Sequence, residues 1–271
     1  MTRGRFLPLR AISADTRFSW CGYVPAGGAQ RTIVLLHGSD RDPVGMVRAF
    51  QEWADRASVA LLAPLFPGGI PHVDDLDAYK SVLGGDVAYD RVLDAALADA
   101  SDLHAFPTGP FALFGFSGGA QFAHRYTLLH PRAVRALAVI APGNVTLLSS
   151  GKGWWVGVED VAELAGAPVD RRALSRVPVL AMVGSDDDGR GFIHIAPAER
   201  RWVEGANDAG VTRVDRLASL VADWRSAGIS VDHVVLPATG HAYLPFVPLV
   251  QGFFDAHPRL RARDDQKGSD A

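Results

Sequence analysis

Gly115-Phe116-Ser117-Gly118-Gly119 fits the pattern G-x-S-x-G. Glycines two positions either side of a serine allow a sharp turn in which a strand and a helix approach closely. The flanks suit that turn: an apolar run at 111–116 precedes the serine, and an amphipathic stretch with Gln121, Phe122 and Tyr126 follows it. A strand–turn–helix of this kind lifts the hydroxyl above a sheet, at the positive end of a helix dipole. A serine hydroxyl is a poor nucleophile until a base takes its proton. Of nine histidines, His241 is the candidate base, because Ala238-Thr239-Gly240-His241 directly follows the last apolar run, 231–236. The base in turn needs a carboxylate to fix its tautomer and stabilise the imidazolium. Asp186, Asp187 and Asp188, leaving the apolar run at 179–183, are the candidates, with Glu159 and Asp160 behind them.

A tetrahedral oxyanion needs donors already in place. The Gly118 amide follows the nucleophile, and Ser39 lies in the turn His37-Gly38-Ser39-Asp40 after the run at 33–36. Those two amides are the expected oxyanion hole, with His37 a prop for the loop. Trp154, Trp155, Tyr243 and Phe246 are candidate pocket aromatics for an acyl chain or ring. Other signals carry less. Three adjacent aspartates lack the alternate-residue spacing of a calcium loop. Ser149-Ser150-Gly151-Lys152 fits S-x-x-K without its companion motifs. Neither a phosphate loop, a dinucleotide fingerprint nor a Cys/His zinc cluster is present in the sequence. No metal and no cofactor is therefore expected.

Positioning these groups requires a sheet that presents its strand ends together. Short Val- and Ile-rich runs at 33–36, 59–62, 111–116, 134–140, 179–183 and 231–236 read as buried strands. Longer amphipathic stretches at 42–57, 86–103, 117–130, 211–227 and 249–256 read as helices. In the fourth, Val214, Leu217, Val221 and Trp224 form one apolar stripe. Continuous apolar strands alternating with helices imply an α/β fold with a mostly parallel sheet covered on both faces. Two long connections, 64–85 and 142–176, begin at the carboxyl ends of strands, where ligands of such sheets bind, and read as pocket walls.

The 271 residues, 48% hydrophobic and 21% charged, are enough for one large core, and a single domain is expected over 1–260 with a flexible tail at 261–271. A net charge of −3 offers no basic excess for nucleic acid. The lone Cys21 excludes an intramolecular disulfide, no run reaches membrane-helix length, and the first ten residues lack a signal-peptide apolar core. A cytoplasmic protein with a small-molecule partner is the expectation.

At this point the chain resembles an α/β-hydrolase from about Arg31 to His257. The stretch 114–126, His130-Pro131, Gly153-Trp154-Trp155 and Gly184-Ser185-Asp186-Asp187-Asp188 are similar to bacterial poly(3-hydroxybutyrate) depolymerase-like and dienelactone-hydrolase-like serine esterases. It departs from dienelactone hydrolases in having serine, not cysteine, as nucleophile. The resemblance implies an eight-stranded, mostly parallel sheet with helices on both faces and a short lid-like excursion at 142–176. It implies the chain order Ser117, Asp, His241, and favours Asp187, three residues after Gly184. The expected activity is cleavage of a carboxylic ester through an acyl-enzyme. Amide, lactone, thioester or C–C cleavage by the same triad, or ligand binding without catalysis, are the alternatives.

Overall fold

The computed structural model describes residues 3–83, 85–149 and 151–257, so the tail expected at 261–271 lies outside the described residues. The six runs read as strands form β3 (Arg31–Leu36), β4 (Val59–Leu65), β5 (Phe111–Phe116), β6 (Val134–Ile140), β7 (Val179–Gly184) and β8 (Val231–Leu236). Two further strands, β1 (Arg5–Ala11) and β2 (Ser19–Val24), precede them and complete an eight-stranded sheet in the order β1-β2-β4-β3-β5-β6-β7-β8. Strands β3 to β8 pair parallel, whereas β2 runs antiparallel to both β1 and β4. β1 is an edge strand with mostly exposed side chains and a register shift between Leu7 and Arg10, spanning Pro8. Proline is tolerated there because an edge or bulge does not need its missing N–H.

Helices cover both faces. On β5, Phe114 packs on Phe50 of α1 (Pro43–Ala57), while Phe111 packs on Tyr126 of α3 (Gly118–Leu129). Side chains of opposite parity on a strand point to opposite faces, so α1 and α3 lie on different sides. α7 (Val247–Ala256) joins α1, with Asp255 accepting from Trp53 Nε1 at 2.9 Å. α2 (Tyr89–His104) joins α3, with Asp94 accepting from the Tyr126 hydroxyl at 3.0 Å. α6 (Arg213–Ser226) begins with a capping box between Thr212 and Asp215 and packs on β7. The excursion at 142–176 carries two short helices, α4 (Val161–Ala165) and α5 (Arg171–Leu174). It is tied to α6 by the Leu148 and Ser149 amides, which donate to the Asp223 carboxylate. Among the described residues, no helix is long and apolar enough to cross a membrane.

Two buried histidines fix backbone turns. The His37 ring sits between the Gly38 carbonyl (2.7 Å from Nδ1) and the Phe66 amide, which donates to Nε2 at 3.0 Å. His124 repeats the arrangement with the Ala120 carbonyl and the Thr146 amide. A ring that accepts at Nε2 must be neutral, and burial pushes these imidazoles down to about 4 and about 3, respectively. The unfolded chain takes up protons on both as pH falls through about 6.5, while the folded chain does not. Folding stability should therefore fall between about pH 6.5 and 4, by on the order of 2 kcal/mol for each histidine at pH 5. Urea denaturation at pH 7.5, 6 and 5 measures this, and a flat profile would contradict it.

Candidate active site

Ser117 connects β5 to α3 with φ +53° and ψ −111°, a left-handed conformation that L-residues other than glycine rarely adopt. Close contact on both sides holds it there. A Cβ on Gly115 would meet the Gly119 carbonyl oxygen at 2.3 Å, and one on Gly119 would meet the Leu36 oxygen at 2.1 Å. Only glycine lets the start of α3 press on β5 and β3 in this way. The Ser117 amide donates to the Ile140 oxygen at 2.9 Å, so the serine is held on the sheet through β6 as the chain turns away. The Gly118 amide follows in the first turn of α3, where backbone N–H groups have no intrahelical acceptor. Gly38 lies against the serine, since its Cβ would come within 3.3 Å of Ser117 Cβ, and this brings the Ser39 turn to the same place.

The loops after β7 and β8 are bonded to each other. Ser185 N donates to Leu236 O, Asp186 N to Thr239 O, and Ala238 N to Ser185 Oγ, each at 2.9 Å. A Cβ on Gly184 would sit 2.0 Å from Thr239 O, so this strand end too needs glycine. The result sets His241 between two partners: Nε2 lies 3.0 Å from Ser117 Oγ, and Nδ1 2.6 Å from Asp187 Oδ2. Asp187 is buried, whereas Asp186 and Asp188 on either side are exposed. Asp160 lies elsewhere, accepting from the Trp154 amide at 2.6 Å. The second Asp187 oxygen accepts from the Arg213 guanidinium at 2.9 Å. Phe116 covers one face of the His241 ring, 4.7 Å between centroids.

Similar solved structures share this architecture. A poly(3-hydroxybutyrate) depolymerase from Bordetella parapertussis superposes with a TM-score of 0.70 at 21% identity, over 92% of this chain and 86% of its own. An S-formylglutathione hydrolase from Agrobacterium tumefaciens gives 0.58 at 15% identity, covering 90% of each chain. A ferulic acid esterase gives 0.63 at 15%, over 93% of this chain and 96% of its own. The chain has the α/β-hydrolase fold. No protein-family model and no curated protein sequence matches it.

In this α/β-hydrolase fold, a cavity of about 480 Å³ opens beside Ser117 and His241. Both long connections read as walls contribute, through Asp77 and Lys80 from one and Gly143 and Asn144 from the other. A third connection, between β7 and α6, adds Phe192, Ile193 and Arg201. The expected aromatic lining does not materialise there. Phe246 is fully buried in the core, and Tyr243 packs against Phe116 at 5.5 Å without lining the cavity. Trp154 and Trp155 line a neighbouring cavity, their indole N–H groups donating to Ser81 O and Arg201 O. Large aromatics gain most from full burial, and here the core takes them. Charged groups stand in the wall: Lys80 Nζ lies 2.5 Å from Asp77 Oδ1, and Arg201 2.9 Å from Asp77 Oδ2. Burial opposes charge on Asp77, but Lys80 and Arg201 outweigh it and hold the carboxyl below its usual range. Among the described residues, no three His, Cys, Asp or Glu side chains converge as metal ligands.

The sequence reading missed Arg213, Lys80 and Gln121. A signal existed for Arg213, which lies four residues before Leu217 and seven before Leu220 on the buried side of α6. The steric basis of the turn is directly testable. Gly119→Ala should lower the melting temperature by about 10 °C or more, because backbone rather than a flexible side chain blocks the methyl group. Gly27→Ala, whose Cβ would meet open space, should leave it within about 2 °C. Equal melting temperatures for the two variants would refute the account.

Proposed function

We propose that the protein is a serine hydrolase that cleaves carboxylic esters through an acyl-enzyme. The observation that carries this reading is the hydrogen-bond chain from Ser117 Oγ through His241 to Asp187, at 3.0 and 2.6 Å. A strained serine at a helix N-terminus, 9% exposed and facing a cavity, supports the same reading. The names of the structural neighbours, an esterase, a depolymerase and a hydrolase, support ester cleavage as the reaction class.

In this mechanism Ser117 Oγ attacks the ester carbonyl while neutral His241 takes its proton at Nε2. Asp187 holds the ring by its Nδ1–H and stabilises the imidazolium that forms. The Gly118 and Ser39 amides receive the oxyanion, each such donor worth about 3–4 kcal/mol in the transition state. His241 returns the proton to the leaving alcohol, and water then attacks the acyl-enzyme by the same steps in reverse. Arg213 acts on Asp187 as a positioning residue. It satisfies the oxygen that His241 does not use and fixes the rotation of the carboxylate.

Ser117→Ala should abolish turnover, by on the order of 10⁶ in kcat, with circular dichroism unchanged. A fluorophosphonate probe should label the parent enzyme on Ser117 and leave the variant unlabelled by mass spectrometry. Asp187→Asn should cost about 10⁴ by stabilising the wrong tautomer, with Asp186→Asn and Asp188→Asn within about threefold of the parent. EDTA should leave the rate unchanged. Activity surviving Ser117→Ala within tenfold would sink the reading.

A further inference from the structure

The cavity beside Ser117 is lined by polar groups whose bonding capacity is not used up. Three of its fourteen lining residues, Phe116, Phe192 and Ile193, are large apolar side chains, and charged or polar residues make up most of the others. Gln121 stands on α3 four residues after the nucleophile, on the same helical face. It is 5% exposed and lines the cavity, and its carboxamide has no hydrogen-bond partner among the described residues. Its amide therefore faces the cavity with its hydrogen-bonding groups open to a ligand or to water. The Lys80 side chain lies against the nucleophile turn, with Cε 2.7 Å from where a Gly118 Cβ would stand. Its ammonium has a single carboxylate neighbour, Asp77, and Asp77 is shared with Arg201. One carboxylate thus serves two cations. Asp40, at the exposed side of the cavity, and Glu199, 3.6 Å from Arg201, stand in water, where screening weakens them. Near the reacting carbonyl the wall therefore offers spare N–H donors and a spare positive charge.

We propose that the ester substrate also carries a carboxylate, bound by Lys80 and Gln121 with Arg201 beside them. The proposal rests on the hydrolase reading and adds the substrate class to it. An ammonium and a carboxamide N–H make charge-assisted hydrogen bonds to a carboxylate, stronger than those to a neutral oxygen. A neutral isostere leaves the Gln121 N–H groups, and the Lys80 N–H groups that Asp77 does not take, without this acceptor, and a site built for polar groups discriminates against such a substrate.

Two matched pairs of esters test this on the full chain. Monoethyl butanedioate against ethyl pentanoate places the charge on the acyl side, and butanoyloxyacetate against propyl butanoate places it on the alcohol side. In at least one pair kcat/KM should favour the anion tenfold or more, and Lys80→Met and Gln121→Leu should each bring that ratio toward one. A ratio near or below one in both pairs with the parent enzyme overturns the carboxylate proposal and leaves the hydrolase reading intact. No hydrolysis of any of the four, with no fluorophosphonate adduct on Ser117, overturns the hydrolase reading and this proposal with it.

Discussion

The structure depends on one close contact, the start of α3 pressed onto the ends of β5 and β3. Gly115 and Gly119 meet backbone oxygens there at distances that no side chain could occupy. Because the helix cannot begin further out, the residue midway between those two glycines, Ser117, is forced to φ +53°. Strain of this kind costs about 1–3 kcal/mol and persists only where the surroundings impose it. Here the apolar body of the sheet does so, with β5 buried along its whole length. The same contact directs the first amides of α3 and the Ser117 hydroxyl to one point, and sets the Gly38 turn against it.

The second half of the site is built by hydrogen bonding rather than by packing. β7 and β8 run parallel, and their following loops continue the pairing through three hydrogen bonds beyond the sheet. That continuation fixes the distance between a buried aspartate and a half-exposed histidine, although 54 residues separate them in the chain. The carboxylate is then held from both sides, by an imidazole and a guanidinium. Burying one carboxylate is tolerable because each of its oxygens has a charged or polar donor.

How much of this the sequence disclosed follows from which interactions are local. Strands β3 to β7 are legible because strands buried on both faces are nearly continuous apolar runs, whereas β8, expected to be buried, is an edge strand with mostly half-buried or exposed side chains, recognised by its valines alone. β1 and β2 escape notice because an edge strand with Pro8 and exposed side chains, and a partner containing Gly22, carry no such run. Asp187 stands apart from Asp186 and Asp188 in sequence only through the family resemblance, whereas Ser117 and His241 can be picked out because Gly115 and Gly240 mark the tight turns before them. Lys80, Gln121 and Arg213 cannot, since their meaning lies in tertiary placement: nothing near Lys80 in sequence says that its stem will cross Gly118. The aromatics misled for a related reason. Trp154, Trp155 and Phe246 are informative about burial, and burial took them into the neighbouring cavity wall and the core.

The connection from β7 to α6 has an unequal character along its length. Its first residues carry Asp187, and the helix that closes it opens with Arg213, whose guanidinium reaches back to that same carboxylate. Both ends are therefore anchored to one buried charge, and the capping box at Thr212 fixes where the helix starts. Between them, Phe192 stands almost entirely in solvent while still bordering the cavity. A change confined to this middle stretch would reshape the rim of the cavity while leaving both anchors of the Asp187 carboxylate in place.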